Sequence, residues 1–70
     1  MTDPCIQIGK NIKANREKAQ LSLKELARKA KMSEKRLLNI ELGKTNLLLG
    51  TLIQIATALK ISLSHLCEGI

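Results

Sequence analysis

Apolar residues recur along the chain at the three-to-four-residue spacing of helices, in five short stretches separated by polar residues. The first stretch follows Asp3-Pro4, a cap residue and the proline that suits a first helical position, and it runs to about residue 19. Its apolar face consists of Ile8, Ile12 and Ala19. The second begins at Ser22-Leu23-Lys24-Glu25, the pattern of a capping box, and its apolar face consists of Leu26, Ala27 and Ala30.

Three further helices are predicted in the rest of the chain. Ser33 is the expected cap of a third helix, which carries Leu37 and Ile40 on one face and ends at Gly43. The fourth helix is marked by Leu49, Leu52, Ile55, Ala56 and Leu59, and a short fifth after Ser62 carries Leu63 and Leu66. Because no strand alternation and no linker interrupts this pattern, the sequence predicts one all-α domain over residues 1–70.

Charge is distributed unevenly along the chain. The formal net charge is +6, and residues 1–44 hold eleven of the twelve basic and five of the six acidic residues. The remaining residues carry only Lys60, Glu68 and a histidine among many leucines and isoleucines. This distribution indicates a polyanion as partner on one side and a protein on the other; a solvated basic face is the alternative.

The second and third helices are joined by so few residues that they must cross steeply, and such a crossing requires a small residue at the contact. Ala27 is placed to be that residue. The pair then forms a helix-turn-helix, in which the third helix buries one face and leaves the outer side of its N-terminal part free for a DNA major groove.

From Ile8 to Cys67 the sequence resembles the lambda-repressor-like, Cro/Xre-type helix-turn-helix family. The resemblance rests on spaced positions over nearly the whole chain, among them Arg16, Leu21-Ser22, Glu25-Leu26-Ala27, Ala30, Ser33, Leu37, Ile40-Glu41, Gly43-Lys44, Leu52, Ile55-Ala56 and Ser62-Leu63. It implies a compact five-helix domain that binds double-stranded DNA, with residues 33–42 as the recognition helix.

The resemblance also implies roles for particular side chains. Glu34, Lys35 and Asn39 match positions that face base edges, with Arg36 at the margin between base and phosphate. These side chains have suitable chemistry, since Lys donates to guanine, Asn pairs doubly with adenine and Glu accepts from cytosine. A polar, solvated helix face is the alternative for this group.

Further implied roles concern phosphate contacts and helix packing. The phosphate-binding positions are Ser22 and Lys24 at the start of the second helix and Lys44 and Thr45 after the third. Arg16 and Glu41 match an ion pair that ties the first helix to the end of the recognition helix.

The sequence departs from the family pattern at two kinds of position. Leu23 and Leu42 replace polar residues that commonly contact DNA, and Leu38 replaces a small polar residue on the outer side of the third helix. Gln20, Lys31 and Lys60 stand where the family usually has glycine, which costs about 1 kcal/mol each if the backbone there is left-handed.

The stretch TNLLLG, residues 45–50, is the most informative departure. Leu47 and Leu48 replace a Pro-Ser pair, and a leucine cannot cap the fourth helix. Leu49 is expected in the core, whereas Leu47, Leu48, Ile53 and Ile70 are expected to form an exposed apolar patch. A local cluster covering its own core is the alternative. In short relatives the fourth and fifth helices form a two-fold dimer, which would set two recognition helices about 34 Å apart on a near-palindromic operator.

These observations favour a DNA-binding transcription regulator acting as a homodimer, either a repressor or a small autoregulating controller. The second hypothesis is a protein-binding module of the same fold, an antitoxin or adaptor that uses the leucine-rich surface. An enzyme is not expected, because nothing supplies an orienting acid near His65. No cofactor is expected, and His65 with Cys67 provides too few ligands for a metal. No membrane span or leader is visible, which predicts a cytoplasmic protein.

Overall fold

The computed structural model describes residues 3–45 and 48–68, and within these ranges the backbone forms five α-helices and no strand. The helices are α1 (Pro4–Lys18), α2 (Leu23–Lys29), α3 (Glu34–Glu41), α4 (Leu49–Leu59) and α5 (Leu63–Leu66). The predicted all-α class and the order of the elements are confirmed. None of these helices is both long and apolar enough to cross a membrane. Leu47 and Ile70, two members of the predicted patch, lie outside the described residues.

Side-chain caps fix the starts of four of the five helices. The Asp3 carboxylate accepts a hydrogen bond from the Cys5 amide at 2.8 Å, and the Ser33 and Ser62 hydroxyls accept from amides three residues ahead. At α2 the Ser22 hydroxyl accepts from the Glu25 amide while the Glu25 carboxylate accepts from the Ser22 amide, which is the predicted capping box. Because each cap satisfies an amide that has no partner within its helix, local sequence alone sets these helix starts.

One aliphatic core joins all five helices, with α1 and α4 packed against the helix-turn-helix formed by α2 and α3. Its buried side chains are Ile8, Ile12, Leu26, Ala27, Ala30, Leu37, Ile40, Leu52, Ile55, Ala56, Leu59 and Leu66. Ala27 is 3% exposed, as its place at the α2–α3 crossing requires. Cys5 and Cys67 are both half-buried free thiols.

Two residues predicted to be apolar core positions are exposed. Ala19 is the C-cap of α1, where the chain turns at Gln20 instead of continuing the apolar face. Leu49 is 62% exposed, because it is the first residue of α4 and helical side chains tilt toward the N-terminus. Its side chain therefore extends beyond the first turn, past the residues that fill the core.

Three non-glycine residues adopt the left-handed conformation that ends a helix. Gln20, Lys31 and Lys60 each have a φ of 59°, so the backbone keeps the geometry that a glycine would adopt more easily. Gly43, which follows α3, has a φ of 72°. The fold thus retains an energetic cost at three turns that a glycine would remove.

Candidate nucleic-acid interface

The two sides of α3 differ in exposure and chemistry. Leu37, Ile40 and Glu41 are buried against the other helices. The opposite side of the helix carries Lys35, Leu38, Asn39 and Leu42, of which Leu38 is 43% and Leu42 52% exposed. Since residues three and four apart share a helix face, these four form one outer surface with one cation, one amide and two apolar groups.

An ion pair holds the C-terminal end of α3 against α1. Arg16 Nε donates to Glu41 Oε2 at 2.8 Å, and Arg16 Nη2 donates to Glu41 Oε1 at 3.2 Å. A third donor of the same guanidinium, Nη1, lies 3.0 Å from the Leu21 carbonyl oxygen. The hydrogen bonds to Glu41 raise the pKa of Arg16, so this cation stays charged. A planar guanidinium fits this three-way arrangement and an ammonium does not.

Gly9 lets the backbones of α1 and α3 approach closely at the same end. A Cβ atom on Gly9 would lie 2.5 Å from the Glu41 carbonyl oxygen and 2.6 Å from that of Ile40. No side chain fits at those distances, so only glycine permits this crossing. The position of α3 is therefore set partly by main-chain contact, independently of its outer side chains.

Arg36 connects the middle of α3 to α4. Its Nη2 atom donates to Oγ1 of Thr51 at 3.2 Å, and Thr51 is buried at the start of α4. The Arg36 guanidinium is thus turned toward α4, away from Lys35 and Leu38 on the outer face. Arg36 is otherwise exposed, and its contact at the margin between base and phosphate stays a prediction.

The N-terminus of α2 presents free backbone donors beside two predicted phosphate-binding residues. The amides of Leu23 and Lys24 have no acceptor in the described part of the chain, and the side chains of Ser22 and Lys24 are exposed. The Glu25 carboxylate accepts a hydrogen bond from the Ser22 amide as part of the capping box. Hydrogen bonds with Ser22 hold the pKa of the Glu25 carboxyl below the usual range. This end of α2 can accept an anion despite the nearby acidic residue.

A hollow of about 350 Å³ separates the N-terminus of α2 from the outer face of α3. Its apolar lining consists of Ile6, Leu23, Leu38 and Leu42, and its basic lining includes Lys10 and Lys13. The three leucines that depart from the family pattern therefore lie together. Lys44 and Thr45 follow the C-terminal end of α3, with Lys44 exposed and Thr45 half-buried.

Sequence reasoning did not identify Gly9, Asn11 or Thr51 as important. Asn11 Nδ2 donates to the carbonyl oxygens of Leu66 at 2.9 Å and Glu68 at 2.7 Å, which attaches the end of α5 to α1. Only Gly9 gave a usable signal, since a glycine inside a predicted helix carries a propensity cost and points to close packing.

Among the described residues, no group of three or more His, Cys, Asp and Glu side chains is arranged to hold a metal ion. The described members of the predicted apolar patch are Leu48, 68% exposed, and Ile53, 48% exposed, and Leu49 joins them. Leu49 and Ile53 lie four residues apart on α4 and so share a face. None of these three residues lines the hollow beside α3.

The fold and the exposed α3 surface define a helix-turn-helix domain of the type that inserts one helix into DNA. A helix-turn-helix family model (HTH_3) matches residues 12–66, and the chain belongs to that family. The family places this chain among DNA-binding regulators of transcription. A comparison with curated proteins finds no match.

Several solved structures are similar to this chain. The restriction-modification controller protein C.AhdI from Aeromonas hydrophila is 26% identical, with 89% of this chain and 94% of that chain covered and a TM-score of 0.86. An HTH_3 family transcriptional regulator from Vibrio cholerae is 32% identical, with coverages of 90% and 35% and a TM-score of 0.86. A SinR–SinI protein complex contains a chain that is 33% identical, with coverages of 89% and 61% and a TM-score of 0.82.

Proposed function

We propose that this protein is a sequence-specific transcription regulator that binds a near-palindromic operator as a homodimer and acts as a repressor or a small autoregulating controller. Helix α3 enters the major groove, where Glu34, Lys35 and Asn39 contact bases. Ser22, Lys24, Lys44 and Thr45 contact phosphates on either side of it. The similar controller protein from Aeromonas hydrophila supports a role of this kind.

One observation carries the proposal: α3 is attached to α1 and α4 on one side, while the side chains of Lys35 and Asn39 on its outer face form no hydrogen bond or ion pair within the described part of the chain. The Arg16–Glu41 ion pair and the Gly9 contact fix its C-terminal end, and Arg36 links it to α4. A base-reading helix needs this combination, because hydrogen bonds to base edges require side chains held in place by their supporting elements.

Selection from a random-duplex library with the purified protein, at about 150 mM salt, tests the proposal. Enrichment of a palindrome with half-sites near one helical turn apart is the expected result. Binding that fades with salt and enriches no sequence would leave only a basic surface, and the proposal of base reading would fail.

Replacing Lys35 or Asn39 by alanine should weaken binding to the selected operator by roughly 1–3 kcal/mol and leave binding to random DNA nearly unchanged. Each substitution removes base-edge donors without touching the core. Fluorescence anisotropy with operator and scrambled duplexes measures both affinities. Lys18→Ala, at the C-terminal end of α1, removes the same charge as Lys35→Ala outside the proposed interface. Equal losses on the two duplexes would contradict base reading.

The proposed dimer uses the apolar surface at the start of α4, formed by Leu48, Leu49 and Ile53, with Leu47 and Ile70 as its further proposed members. Leu48 occupies the N-cap position of α4 with φ −85° and ψ 147°, yet its side chain makes no capping hydrogen bond. Every other described helix has a side-chain cap. A leucine at this position therefore gives up local stability while exposing apolar surface, which supports a role in self-association.

Leu48→Ser should raise the stability of the monomer and lower the affinity of the dimer. A serine cap is expected to stabilise the monomer by roughly 0.5–2 kcal/mol. The loss of a buried leucine should weaken the dimer at least about tenfold. Thermal unfolding of the dilute protein and sedimentation equilibrium measure the two effects, and Leu48→Met serves as the apolar control without a cap. A serine variant that gains stability but keeps its dimer affinity would exclude Leu48 from the interface.

A second candidate function is a protein-binding module of the same fold, an antitoxin or an adaptor. Leu23, Leu38 and Leu42 favour it, because apolar side chains replace hydrogen-bonding groups on the side that would face DNA. The similar SinR chain was solved in a complex with another protein. A defined heterocomplex on pull-down, together with weak and sequence-blind DNA binding, would support this function over the first.

A further inference from the structure

A second concave surface lies between the C-terminal end of α2 and the outer side of α4. This basic groove has a volume of about 470 Å³. We call its apolar lining residues Ala30, Ile53 and Ala58 the floor and its basic lining residues Lys29, Lys31 and Lys60 the rim; the polar side chains of Gln54 and Thr57 complete the lining. None of the residues proposed to contact DNA lines it. A ligand in this groove would therefore leave the proposed DNA-contacting side chains uncovered.

The charges of the rim lysines are not neutralised by ion pairs. Among the described residues none of the three forms an ion pair, and no acidic side chain lines the groove. Glu25 precedes Lys29 by one helical turn and offsets part of its charge. Lys31 and Lys60 therefore supply most of the positive charge that faces a ligand.

The backbone at Lys31 and Lys60 supports a role for these side chains. Both residues adopt the left-handed conformation, which glycine adopts without strain and lysine does not. Gln20 is the third such residue and lies outside the groove. At Lys31 and Lys60 the lysine adds a positive charge to the groove that glycine, the residue best suited to this conformation, would not supply.

We propose that the basic groove binds an acidic, amphipathic segment of a partner protein, with apolar side chains on the alanine and isoleucine floor and carboxylates at Lys31 and Lys60. The charge of the rim and the apolar character of the floor together select such a segment, because neither a neutral helix nor a purely acidic tail satisfies both. This inference does not rest on the proposed operator. Ile53 also belongs to the proposed dimer surface, so the segment and a second copy of the chain would compete for that side chain.

Two other occupants fit less well. Duplex DNA would satisfy the lysines, but its charged backbone would leave the apolar side chains of Ala30, Ile53 and Ala58 without an apolar partner. A second copy of this chain is an unfavourable partner, because the protein has twelve basic and six acidic residues and one of the six, Glu41, is buried in its ion pair with Arg16. An acidic segment from another protein meets neither difficulty.

The test measures binding of a fluorescent helical peptide of about 16 residues with leucines at i, i+3, i+4 and i+7 and glutamates on both flanks. Lys31→Gly with Lys60→Gly removes the rim charge while relieving the left-handed strain, so the variant should fold. We expect it to bind the peptide roughly five- to thirty-fold more weakly than the unaltered protein at about 150 mM salt. Its melting temperature should not fall.

Matched controls separate the groove from general effects. Gln20→Gly relieves the same strain without a change of charge, and Lys13→Gln with Lys18→Gln removes two charges elsewhere; both should bind the peptide as the unaltered protein does. Peptides with glutamine for glutamate, or alanine for leucine, should bind weakly.

Three results would overturn the proposal. One is a loss of peptide binding in the Lys13 and Lys18 variant as large as that in the groove variant. Another is equal binding of the alanine-containing peptide. The third is a larger loss of random-duplex binding in the groove variant than in the Lys13 and Lys18 variant, which would assign the groove to nucleic acid.

Discussion

Gly9→Ala should lower the free energy of unfolding by at least about 3 kcal/mol, at the upper end of the range for an overpacked site. The new Cβ atom would lie 2.5 Å from the Glu41 carbonyl oxygen, and that oxygen belongs to the helix backbone and cannot rotate away. Helices α1 and α3 must separate, which also loosens the ion pair beside them. With a few degrees of melting temperature per kcal/mol in so small a domain, thermal unfolding should show a drop of more than about 12 °C.

Gly50→Ala is the matched control, because it makes the same substitution in α4, where a Cβ atom meets nothing within 4 Å. Alanine has the better helix propensity, so this variant should be more stable by about 0.5–1 kcal/mol. A lower free energy of unfolding for Gly9→Ala, together with a higher one for Gly50→Ala, would identify the close approach of α1 and α3 as the cause of the loss. A Gly9→Ala variant as stable as the unaltered protein would show that the two helices do not meet through their backbones.

Arg16→Met should destabilise the protein by about 3–5 kcal/mol, because it keeps the aliphatic stem and leaves a buried carboxylate without its partner. The Glu41 side chain is only 4% exposed, so water cannot replace the lost guanidinium. Glu41→Gln should cost less, about 1–2 kcal/mol, since an amide oxygen still accepts a hydrogen bond and Arg16 keeps the Leu21 carbonyl. Chemical denaturation measures both losses.

The double variant Arg16→Met with Glu41→Leu forms a thermodynamic cycle with the unaltered protein and the single variants Arg16→Met and Glu41→Leu. With both charges removed it should recover most of the stability lost in Arg16→Met, because an apolar pair of similar volume avoids the unpaired charge. Additive losses in the cycle would mean that the two side chains do not interact. Operator binding of the double variant then reports whether the pair also orients α3.

The helix boundaries could be predicted from the sequence because short-range signals set them. Ser22 and Glu25 each accept a hydrogen bond from the other's amide, and Ser33 accepts one from the Arg36 amide, so each of these contacts joins residues only three apart in the sequence. Leu49 shows the limit of this reasoning. Its spacing fits the core stripe, but its place in the first turn of α4 leaves nothing to cover it.

The supporting contacts of the candidate interface depend on tertiary geometry that spacing does not encode. The Arg36–Thr51 hydrogen bond joins residues 15 apart, and the contact of Asn11 with the Glu68 carbonyl spans 57. The pairing of Arg16 with Glu41 was expected only through family resemblance, and the basic groove went unseen because its two sides are far apart in sequence. Side-chain type predicted what such residues could do, but not which residues they would meet.

The backbone contact at Gly9 has a consequence for how new specificities can arise. Since the attachment of the recognition helix relies on a glycine, an inward-facing ion pair and the core, its outer positions 35, 38, 39 and 42 carry little of the folding energy. In the proposed interface, mutations there would change the preferred base sequence while the protein still folds, so drift among related operators would proceed through folded variants. Evolution and engineering alike can therefore treat the outer face of this helix as an exchangeable module.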